Sequence, residues 1–374
     1  MAAPKIAIVS EFLTVMGGAE NVVLALHEAF PSAAVFTAIY DEDRALPKFK
    51  KMDIRTTWLQ KFPKKLRNMH KLFPILQVKA FRDLDLSEFD IIITSSYLNA
   101  NQVQKTRPGQ VLISYCHTPA RYYWSHYEAY KKEPGYGRLD PLIRLLIPIL
   151  VPRQRKLDYE AAQKVDVFIA NSSETQRRIK KYYGKPSVVI HPPVDIARFE
   201  PSRTRGDYYV TMGRQLPYKR YDLVIAACTK LNIPLKVFGN GPYHKQLVKI
   251  AGPSVSFYTD RFRDASDENL EEALNSSKGF IYATEEDFGI VQVEALAAGA
   301  PVITYGKAGA LDIIQDMESG VLFYQQTPGA IIDAIKRAEQ IDFLPAMLNR
   351  KARRFDKSLF LTKIKKVVGD NIPT

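Results

Sequence analysis

Residues 280–305 read FIYATEEDFGIVQVEALAAGAPVITY, and this stretch decides which fold is predicted. Two short apolar runs, Phe280–Ala283 and Val302–Thr304, lie on either side of a segment with a helical pattern that runs to Ala298. A strand, a helix and a second strand of these lengths are typical of a βαβ unit, in which the strands are parallel and the crossover is right-handed. The stretch therefore predicts part of a parallel sheet covered by helices.

The same alternation of short apolar runs and helical patterns continues along the whole chain of 374 residues. Because strands buried on both faces and joined by helices form parallel sheets, the pattern predicts an α/β fold with two doubly wound, Rossmann-like domains. In chain order the predicted strands are Ile6–Val9, Ala34–Thr37, Asp90–Thr94, Val111–Ser114, Asp166–Ala170 and Val188–Ile190 in the first half, and Tyr208–Met212, Leu235–Phe238, Val255–Tyr258, Phe280–Ala283, Val302–Thr304 and Val321–Phe323 in the second.

A hinge between the domains is predicted at residues 191–195, which read HPPVD, because paired prolines stiffen a linker. We therefore expect an N-terminal domain over residues 1–193 and a C-terminal domain over residues 194–355. Residues 356–374 are expected to form a C-terminal helix that packs back on the N-terminal domain.

Composition narrows the class of protein. Apolar residues make up 46% of the chain and charged residues 25%, which favours a large buried core over disorder. Cys116 and Cys228 fit no zinc spacing and are predicted to be buried thiols in a reducing compartment. The longest apolar stretch, Leu139–Pro152, is shorter than the ~20 residues that span a bilayer. We therefore expect a cytoplasmic protein without a transmembrane helix.

The net charge of +13 is concentrated in the first half of the sequence. Residues 44–82 hold twelve basic residues and a single acidic residue, Asp53. A basic patch this local indicates an anionic partner, such as phosphate groups, a membrane surface or nucleic acid.

Within this basic region, apolar residues from Trp58 to Leu76 recur every three or four positions, as on one face of a helix. Pro63 and Pro74 should confine that helix to about residues 63–73. The cations around it are Lys61, Lys64, Lys65, Arg67 and Lys71. Two interpretations stay open: the face binds peripherally to an anionic membrane, or it packs on the domain core. The stretch Leu139–Pro152, followed by three cations, is a second possible membrane contact.

Two glycine-containing loops could bind a phosphorylated ligand. Gly17-Gly18 follows the first strand and opens a helix, whose N–H groups attract anions, although a plain turn explains it equally well. The GxGxxG fingerprint of dinucleotide binding is absent. In residues 213–219, GRQLPYK, Arg214 ends a strand and Lys219 begins the next helix. Two cations there could neutralise a leaving diphosphate, or they could be solvated surface charges.

A third motif, EEDFGIVQVE, spans residues 285–294 and contains two glutamates eight positions apart, Glu286 and Glu294. The first follows a predicted strand and the second lies inside the next helix. Free N–H groups at the start of that helix suit a phosphate, and carboxylates accept hydrogen bonds from paired sugar hydroxyls.

Together these motifs resemble glycosyltransferase family 4, which has the GT-B fold: two Rossmann-like domains that face a deep interdomain cleft. The resemblance adds a turn at residues 239–242, GNGP, and a helix end at residues 299–302, GAPV, and it covers nearly the whole chain. The family usually has Asp and Gly where this chain has Asn240 and Asp287. Residues 116–124, CHTPARYYW, are similar to the branch of mannosyltransferases that build O-antigens and exopolysaccharides.

The resemblance implies a role for individual residues. It implies that the N-terminal domain binds the acceptor and the C-terminal domain binds a nucleotide-sugar donor. The implied catalytic residues are His117, Arg214, Lys219 and Glu286; the implied donor-binding residues are Gly17, Gly18, Arg214, Lys219, Glu286, Asp287, Phe288, Gly289, Ile290, Val291 and Glu294. Aromatic stacking on sugar rings would place Arg121, Tyr122 and Trp124 on the acceptor side.

The resemblance also implies a retaining transfer of a sugar, most simply mannose from GDP-mannose, to a saccharide that is expected to be lipid-linked. Two fixed cations take the place that a metal ion has in other transferases, so we expect no metal and no other cofactor. The acidic pairs Asp41/Asp43 and Asp83/Asp85 superficially match a metal-binding DxD motif but lie away from the predicted site.

Other functions stay open at this point. A family 4 enzyme that uses a UDP-sugar, with glucose or N-acetylglucosamine, shares the fold and all the motifs above. A non-catalytic protein that binds sugar nucleotides or polyanions is a remoter alternative. Nucleic-acid binding is disfavoured because the basic region has helical apolar periodicity and no known nucleic-acid module is present.

Overall fold

The computed structural model describes residues 4–69, 73–132, 137, 140–202, 204–259 and 268–372. The chain divides into two compact units. The first unit comprises Met1–His191 and Phe360–Thr374, and the second comprises Pro192–Leu359.

Each unit contains one parallel sheet in its described residues, with seven strands in the first unit and six in the second. The first sheet consists of β1 (Ile6–Leu13), β2 (Ala34–Tyr40), β3 (Ile54–Thr56), β4 (Ile91–Ser96), β5 (Val111–Cys116), β6 (Val167–Ala170) and β7 (Val188–Val189). The second consists of β8 (Tyr209–Met212), β9 (Leu235–Phe238), β10 (Val255–Tyr258), β11 (Gly279–Tyr282), β12 (Val302–Tyr305) and β13 (Gly320–Phe323).

Helices cover both faces of each sheet. In the first unit they are α1 (Gly18–Ala29), α2 (Lys64–Asn68), α3 (Pro74–Arg82), α4 (Tyr127–Lys132), α5 (Asp140–Gln163), α6 (Ser173–Tyr183) and α14 (Lys357–Gly369, joined to this unit from Phe360). In the second they are α7 (Tyr221–Leu231), α8 (His244–Ile250), α9 (Glu268–Asn275), α10 (Ile290–Ala297), α11 (Ala310–Ile313), α12 (Pro328–Ala338) and α13 (Pro345–Ala352).

Alternating residues of the central strands show why both faces are covered. On β1, Ala7 and Val9 belong to one buried apolar cluster, while Ile8 belongs to a second cluster on the other face. Phe360 and Ile364 of α14 lie in the same cluster as Ile8, so this C-terminal helix is part of the core of the first unit. A strand whose side chains are buried in both directions needs the continuous apolar sequence that predicted it.

The order of strands reverses at the centre of both sheets. The first sheet has the order β3-β2-β1-β4-β5-β6-β7 and the second β10-β9-β8-β11-β12-β13. Sheets of this kind bind ligands beyond the carboxyl ends of the strands, at the point where the order reverses. That point lies between β1 and β4 in the first unit and between β8 and β11 in the second.

The α/β fold with two parallel sheets is as predicted, and all twelve predicted strands are present. The structure adds β3, a three-residue strand that pairs with β2. α2, which begins after Pro63, covers only Lys64–Asn68 of the helix predicted over about residues 63–73; a 3₁₀ helix over Trp58–Lys61 precedes it, and α3 begins at Pro74. Both prolines interrupt the helix because proline has no N–H to donate.

Both cysteine thiols are buried and neither forms a disulfide, as expected. Among the described residues, no helix is long and apolar enough to cross a membrane.

Candidate functional site

The loop after β8 places two cations at the point where the second sheet reverses its strand order. Gly213 follows the last residue of the strand, Arg214 is exposed, and a 3₁₀ helix over Pro217–Lys219 leads into α7. Thr284 fixes this loop to the neighbouring one, because its hydroxyl donates to the Lys219 carbonyl over 2.7 Å. Because Arg214 is exposed, its charge is available to an anion.

Lys219 forms a compact cluster with two residues from the end of β11 and the loop after it. Its Nζ lies 3.0 Å from Glu286 Oε1 and 3.3 Å from the Tyr282 hydroxyl, which itself donates to Glu286 Oε1 over 2.9 Å. The side chains of Lys219 and Glu286 are only 15% and 19% exposed. The pair therefore sits in a shielded place where charge interactions are stronger than in water.

The surroundings of the cluster settle its charge. Burial alone would lower the pKa of Lys219, but the neighbouring Glu286 carboxylate raises it, and the net result is a raised pKa. Burial raises the pKa of the Tyr282 hydroxyl well above its usual value. Lys219 is therefore cationic and Tyr282 is a neutral hydrogen-bond donor at physiological pH.

The Gly239–Pro242 turn packs directly against the Arg214 loop. Gln215 is fully buried, and its amide donates to the Gly239 carbonyl over 2.7 Å, while its oxygen is 2.8 Å from His244 Nδ1. The two backbones approach so closely that a Cβ on Gly239 would overlap the Gly213 carbonyl oxygen. The glycines of this turn are thus needed for close approach, and Asn240 adds a side-chain contact to the Gly241 N–H.

The loop after β11 ends at Gly289, which has a φ of 99° and is the N-cap residue of α10. Asp287, Phe288 and Val291 are buried, whereas Glu286, Gly289, Ile290 and Glu294 are partly exposed. The structure therefore brings Lys219 and Glu286 into contact and places the start of α10 in the same loop as Glu286. It also reveals Gln292, which is fully buried and whose side-chain oxygen and nitrogen have no hydrogen-bond partner among the described residues.

In the first unit, Gly17 lies at the start of α1, and the Glu20 side chain occupies the space beside it. A Cβ on Gly17 would lie 2.5 Å from Glu20 Oε2, so the buried Glu20 carboxylate rests against the glycine. Asn21 donates its backbone N–H to the Gly17 carbonyl, and Gly18 is the first residue of α1. A phosphate at this helix end would have to share the place with a carboxylate.

His117 follows β5 and is held from several sides. Its Nε2 lies 2.8 Å from Ser95 Oγ, and the centroid of its ring lies 5.2 Å from that of the Tyr115 ring. Its backbone N–H donates to the Ser96 carbonyl over 2.9 Å. Burial lowers its pKa to about 4. The imidazole is therefore neutral at physiological pH and can exchange a hydrogen bond without bringing a charge.

The aromatic residues after His117 are placed differently from one another. Tyr122 is 38% exposed, while Arg121 and Trp124 are partly exposed. The Trp124 N–H donates to the buried Asp158 carboxylate over 2.6 Å, and the indole stacks on Tyr182 at 5.0 Å. Trp124 thus has a clear structural task, and Tyr122 is the more accessible aromatic surface.

The loop after β4 is organised by Glu11, a fully buried residue of β1. Its carboxylate accepts backbone N–H groups from Tyr97, Leu98, Asn99 and Ala100, at 3.2, 2.8, 3.0 and 2.9 Å, and the Ser96 hydroxyl. Burial raises the pKa of Glu11, while these N–H groups act in the opposite direction. Glu11 therefore shapes the loop at the reversal point of the first sheet.

Comparison with known families identifies the chain at this point. The model described as Glycosyltransferase Family 4 matches residues 16–198, and the model described as Glycosyl transferases group 1 matches residues 195–355. The chain belongs to glycosyltransferase family 4. The two matches overlap at residues 195–198, close to the division between the two compact units.

The chain spans about half the length of the curated relatives it matches. It is 28% identical over 222 residues to a D-inositol 3-phosphate glycosyltransferase of Streptomyces avermitilis, covering 50% of this chain and 47% of the relative. It is 27% identical over 221 residues to a GDP-mannose-dependent alpha-(1-6)-phosphatidylinositol monomannoside mannosyltransferase of Mycolicibacterium smegmatis, covering 52% and 56%.

Solved structures share the GT-B fold along nearly the whole chain. HepE from Anabaena in complex with UDP and glucose has a TM-score of 0.71 and 16% identity, covering 98% of this chain and 100% of HepE. Sucrose-phosphate synthase from Thermosynechococcus elongatus has a TM-score of 0.74 and 16% identity, covering 98% of both chains. At these identities the likeness establishes the fold alone.

The remaining predicted residues of this family 4 chain are at the surface of the first unit. Lys61, Lys64 and Lys65 are exposed and Arg67 is partly exposed, while Lys71 lies outside the described residues. The apolar side chains between these cations differ in their environment: Phe62 packs on the core of the unit, whereas Leu66 is 41% exposed.

One of the acidic pairs that resemble a DxD motif, Asp83/Asp85, is hydrogen-bonded to neighbouring residues. Asp83 accepts hydrogen bonds from Lys79 and Trp58, and Asp85 accepts one from the backbone of Ser87. Among the described residues, no group of three or more His, Cys, Asp or Glu side chains is arranged to hold a metal ion.

Four residues of the site region receive no role from the sequence analysis. Tyr282 and Gln292 flank the Glu286 loop, Gln215 supports the Arg214 loop, and Glu11 shapes the loop after β4. Tyr282 is the last residue of β11, and a polar side chain at the carboxyl end of a parallel strand is the one feature that could have indicated it.

Proposed function

We propose that this family 4 chain is a retaining glycosyltransferase that moves mannose from GDP-mannose to a saccharide acceptor. The observation that carries the proposal is the Lys219–Tyr282–Glu286 cluster at the reversal point of the second sheet, with Arg214 exposed beside it. Lys219 is nearly neutralised by Glu286, so Arg214 supplies the net positive charge that a diphosphate needs. Glu286 then accepts hydrogen bonds from sugar hydroxyls, and Glu294 from the ribose.

Mannose is supported by the relative described as GDP-mannose-dependent, which acts on a phosphatidylinositol mannoside. By analogy, we propose a lipid-linked saccharide as the acceptor, in the synthesis of a bacterial surface polysaccharide or glycolipid. The acceptor side is assigned to Arg121, Tyr122 and Trp124, among which Tyr122 has the most exposed ring. A UDP-sugar is the second candidate donor, because HepE was solved with UDP and with UDP-glucose.

The proposed reaction proceeds with attack on the same face from which the leaving group departs. The bond between the anomeric carbon and the donor phosphate oxygen breaks, the acceptor oxygen bonds to that carbon, and the acceptor proton passes to the departing phosphate. Positive charge develops on the sugar and negative charge on the phosphate. Arg214, Lys219 and the N–H groups at the start of α10 would stabilise the phosphate.

The direct test is a thermal-shift titration with GDP, UDP, ADP, GDP-mannose and UDP-glucose in the absence of metal. A ligand at about 100 times its dissociation constant stabilises the fold by roughly 2.7 kcal/mol, which gives a clear shift. A response to GDP and GDP-mannose alone supports the mannosyltransferase. A response to UDP ligands instead transfers the proposal to the UDP-sugar enzyme, and no response to any nucleotide refutes donor binding.

Metal independence is proposed because the two cations and a helix N-terminus can stabilise the leaving group without a divalent ion. Turnover in EDTA should equal turnover in Mg²⁺ or Mn²⁺. Activity that disappears in EDTA and returns with either metal would refute this part of the proposal.

His117 is proposed to contact the reacting sugars as a neutral group. His117→Ala should reduce turnover strongly while the dissociation constant of the nucleotide stays within a few fold. The pH profile of the wild type should show no histidine step near pH 6.5, because burial lowers the pKa of His117 to about 4. Near-normal turnover of the variant would remove His117 from the mechanism.

A further inference from the structure

Helix α5 has two faces with opposite environments. On one face, Val151, Gln154 and Asp158 are buried, and Ile147 packs against a cluster formed by Ala120 and Tyr123. This face attaches the helix firmly to the first unit.

The opposite face of α5 is apolar and exposed. Leu142, Leu145, Leu146 and Ile149 follow the i, i+3, i+4, i+7 spacing of one helical face, and they are 56%, 68%, 38% and 67% exposed. Single exposed aliphatic residues are common on soluble proteins, but an uninterrupted face of four is typical of an interaction surface. The helix therefore exposes an apolar face to solvent, whereas a surface helix usually buries its apolar face.

The same face becomes basic beyond Ile149. At 100° per residue, Arg153 and Lys156 fall on the face of Leu142 and Ile149, and both are exposed, Lys156 with 78% of its side chain. Glu160, one turn further, lies 3.9 Å from Lys156 and is the first exposed acid after the apolar turns. An apolar segment followed by cations matches the depth profile of an anionic bilayer surface, where acyl chains lie below phosphate groups.

A second copy of the chain is the less suitable occupant of this face. Two copies would bring together surfaces bordered by cations in a protein that already carries a net charge of +13. An anionic surface is attracted by that charge instead.

We propose that α5 docks the protein on an anionic lipid surface, with Leu142, Leu145, Leu146 and Ile149 entering the headgroup boundary and Arg153 and Lys156 pairing with lipid phosphates. None of these residues is among the proposed donor-binding residues, so the inference stands whichever nucleotide sugar is used.

The first experiment is flotation with vesicles of phosphatidylglycerol and phosphatidylcholine in equal parts, and with phosphatidylcholine alone. The wild type should bind the anionic vesicles and not the neutral ones. The double variant Leu145→Asn/Ile149→Asn should bind about tenfold or more weakly, because its apolar contact is lost. Arg153→Gln/Lys156→Gln should lose roughly tenfold, with a weaker salt dependence.

The matched control is Val248→Asn/Ile250→Asn, which changes two aliphatic residues of α8 that are 47% and 48% exposed. It should bind like the wild type. Each variant is checked by circular dichroism and by its nucleotide-induced thermal shift. Equal binding of wild type and Leu145→Asn/Ile149→Asn, with both folded, would overturn the proposal.

Insertion is tested separately with Ile149→Cys carrying an environment-sensitive fluorophore, which is selective because both native cysteines are buried. Anionic vesicles should shift its emission to the blue. An unshifted emission would refute insertion of this face. A dimer seen by light scattering that Leu145→Asn/Ile149→Asn abolishes would assign the face to a second copy and overturn the lipid proposal.

Discussion

Lys219 is held between the Tyr282 hydroxyl and the Glu286 carboxylate, and its removal should affect the leaving phosphate directly. We expect Lys219→Met to lower kcat/KM by about 100- to 1000-fold, as for the loss of one group that stabilises developing charge. Steady-state kinetics with the donor identified by thermal shift would measure it.

Arg220 provides the matched control for this prediction. It is the next cation in the same loop, but it pairs with Asp222 at 3.2 Å. Arg220→Met should change kcat/KM by only a few fold. Equal losses in the two variants would mean that the loop as a whole, rather than the ammonium of Lys219, is required.

At the residue scale, the motifs located the charges and missed the groups that hold them. Lys219 and Glu286 were predicted because a strand end and a helix start lie beside each other in sequence. Their direct contact, bridged by Tyr282, depends on β8 and β11 being neighbours, and no local pattern encodes that adjacency. The position of the Glu20 carboxylate beside Gly17 could not be predicted, because the local motif itself is ambiguous: a glycine pair is compatible with either a turn or a ligand.

The Gly239 turn tests how rigidly the Arg214 loop must be supported. Gly239 has a φ of 109°, and a Cβ there would overlap the Gly213 carbonyl oxygen. We expect Gly239→Ala to destabilise the protein by about 3 kcal/mol or more, from backbone strain and overlap together. Urea denaturation would measure this, and nucleotide affinity should fall with it.

Gly184 separates the two causes. It has a φ of 70°, but a Cβ there has nothing within 4 Å. Gly184→Ala should therefore cost only about 1 kcal/mol, the strain of a left-handed residue. If both variants lose the same stability, the close approach of the two loops contributes nothing measurable.

Asp158 of α5 connects this helix to Trp124 and to Tyr183 of α6 at 2.6 and 2.8 Å. Burial raises its pKa to about 7, with a smaller contribution from the Glu11 carboxylate, while the two hydrogen bonds act against this. For an acid whose folded pKa exceeds its unfolded value, stability is greatest at low pH. The contribution of Asp158 is lost as pH rises from about 4 to about 7.

Asp158→Asn should remove this pH dependence, because the amide oxygen still accepts a hydrogen bond but no longer ionises. The free energy of unfolding of the wild type should fall relative to the variant between about pH 4 and about pH 7. The fall is at most about 4 kcal/mol, since one pKa unit corresponds to about 1.4 kcal/mol. Glu160→Gln, an exposed carboxyl on the same helix, should show no such change; parallel pH curves for wild type and Asp158→Asn would contradict the assignment.

At the scale of elements, long buried strands were predictable and short ones were not. β1 and β4 are continuous apolar runs because both faces are covered, whereas β3 consists of Ile54, Arg55 and Thr56, of which none is fully buried. The region after it is predicted to form an amphipathic helix that Pro63 and Pro74 confine to about residues 63–73. Its apolar periodicity is real, but α2 covers only Lys64–Asn68, between a 3₁₀ helix over Trp58–Lys61 and α3, which begins at Pro74.

For the molecule as a whole, the number of alternating elements made the fold predictable. The α/β alternation is repeated in each half, and each half has its own apolar clusters on both faces of its sheet. The strand order could not be obtained from the pattern, because every parallel strand looks alike in sequence. It is this order that places the Arg214 and Glu286 loops side by side.

The strand order also predicts which segments of the chain a bound nucleotide protects from hydrogen exchange. Hydrogen exchange with and without the nucleotide should show protection of residues 213–219 and 284–291, the loops that follow β8 and β11. The start of α1 should gain little protection, because the Glu20 carboxylate already lies against Gly17 and repels a phosphate. Strong protection at residues 17–21 instead would mean that the Glu20 side chain moves away from Gly17 when the donor binds.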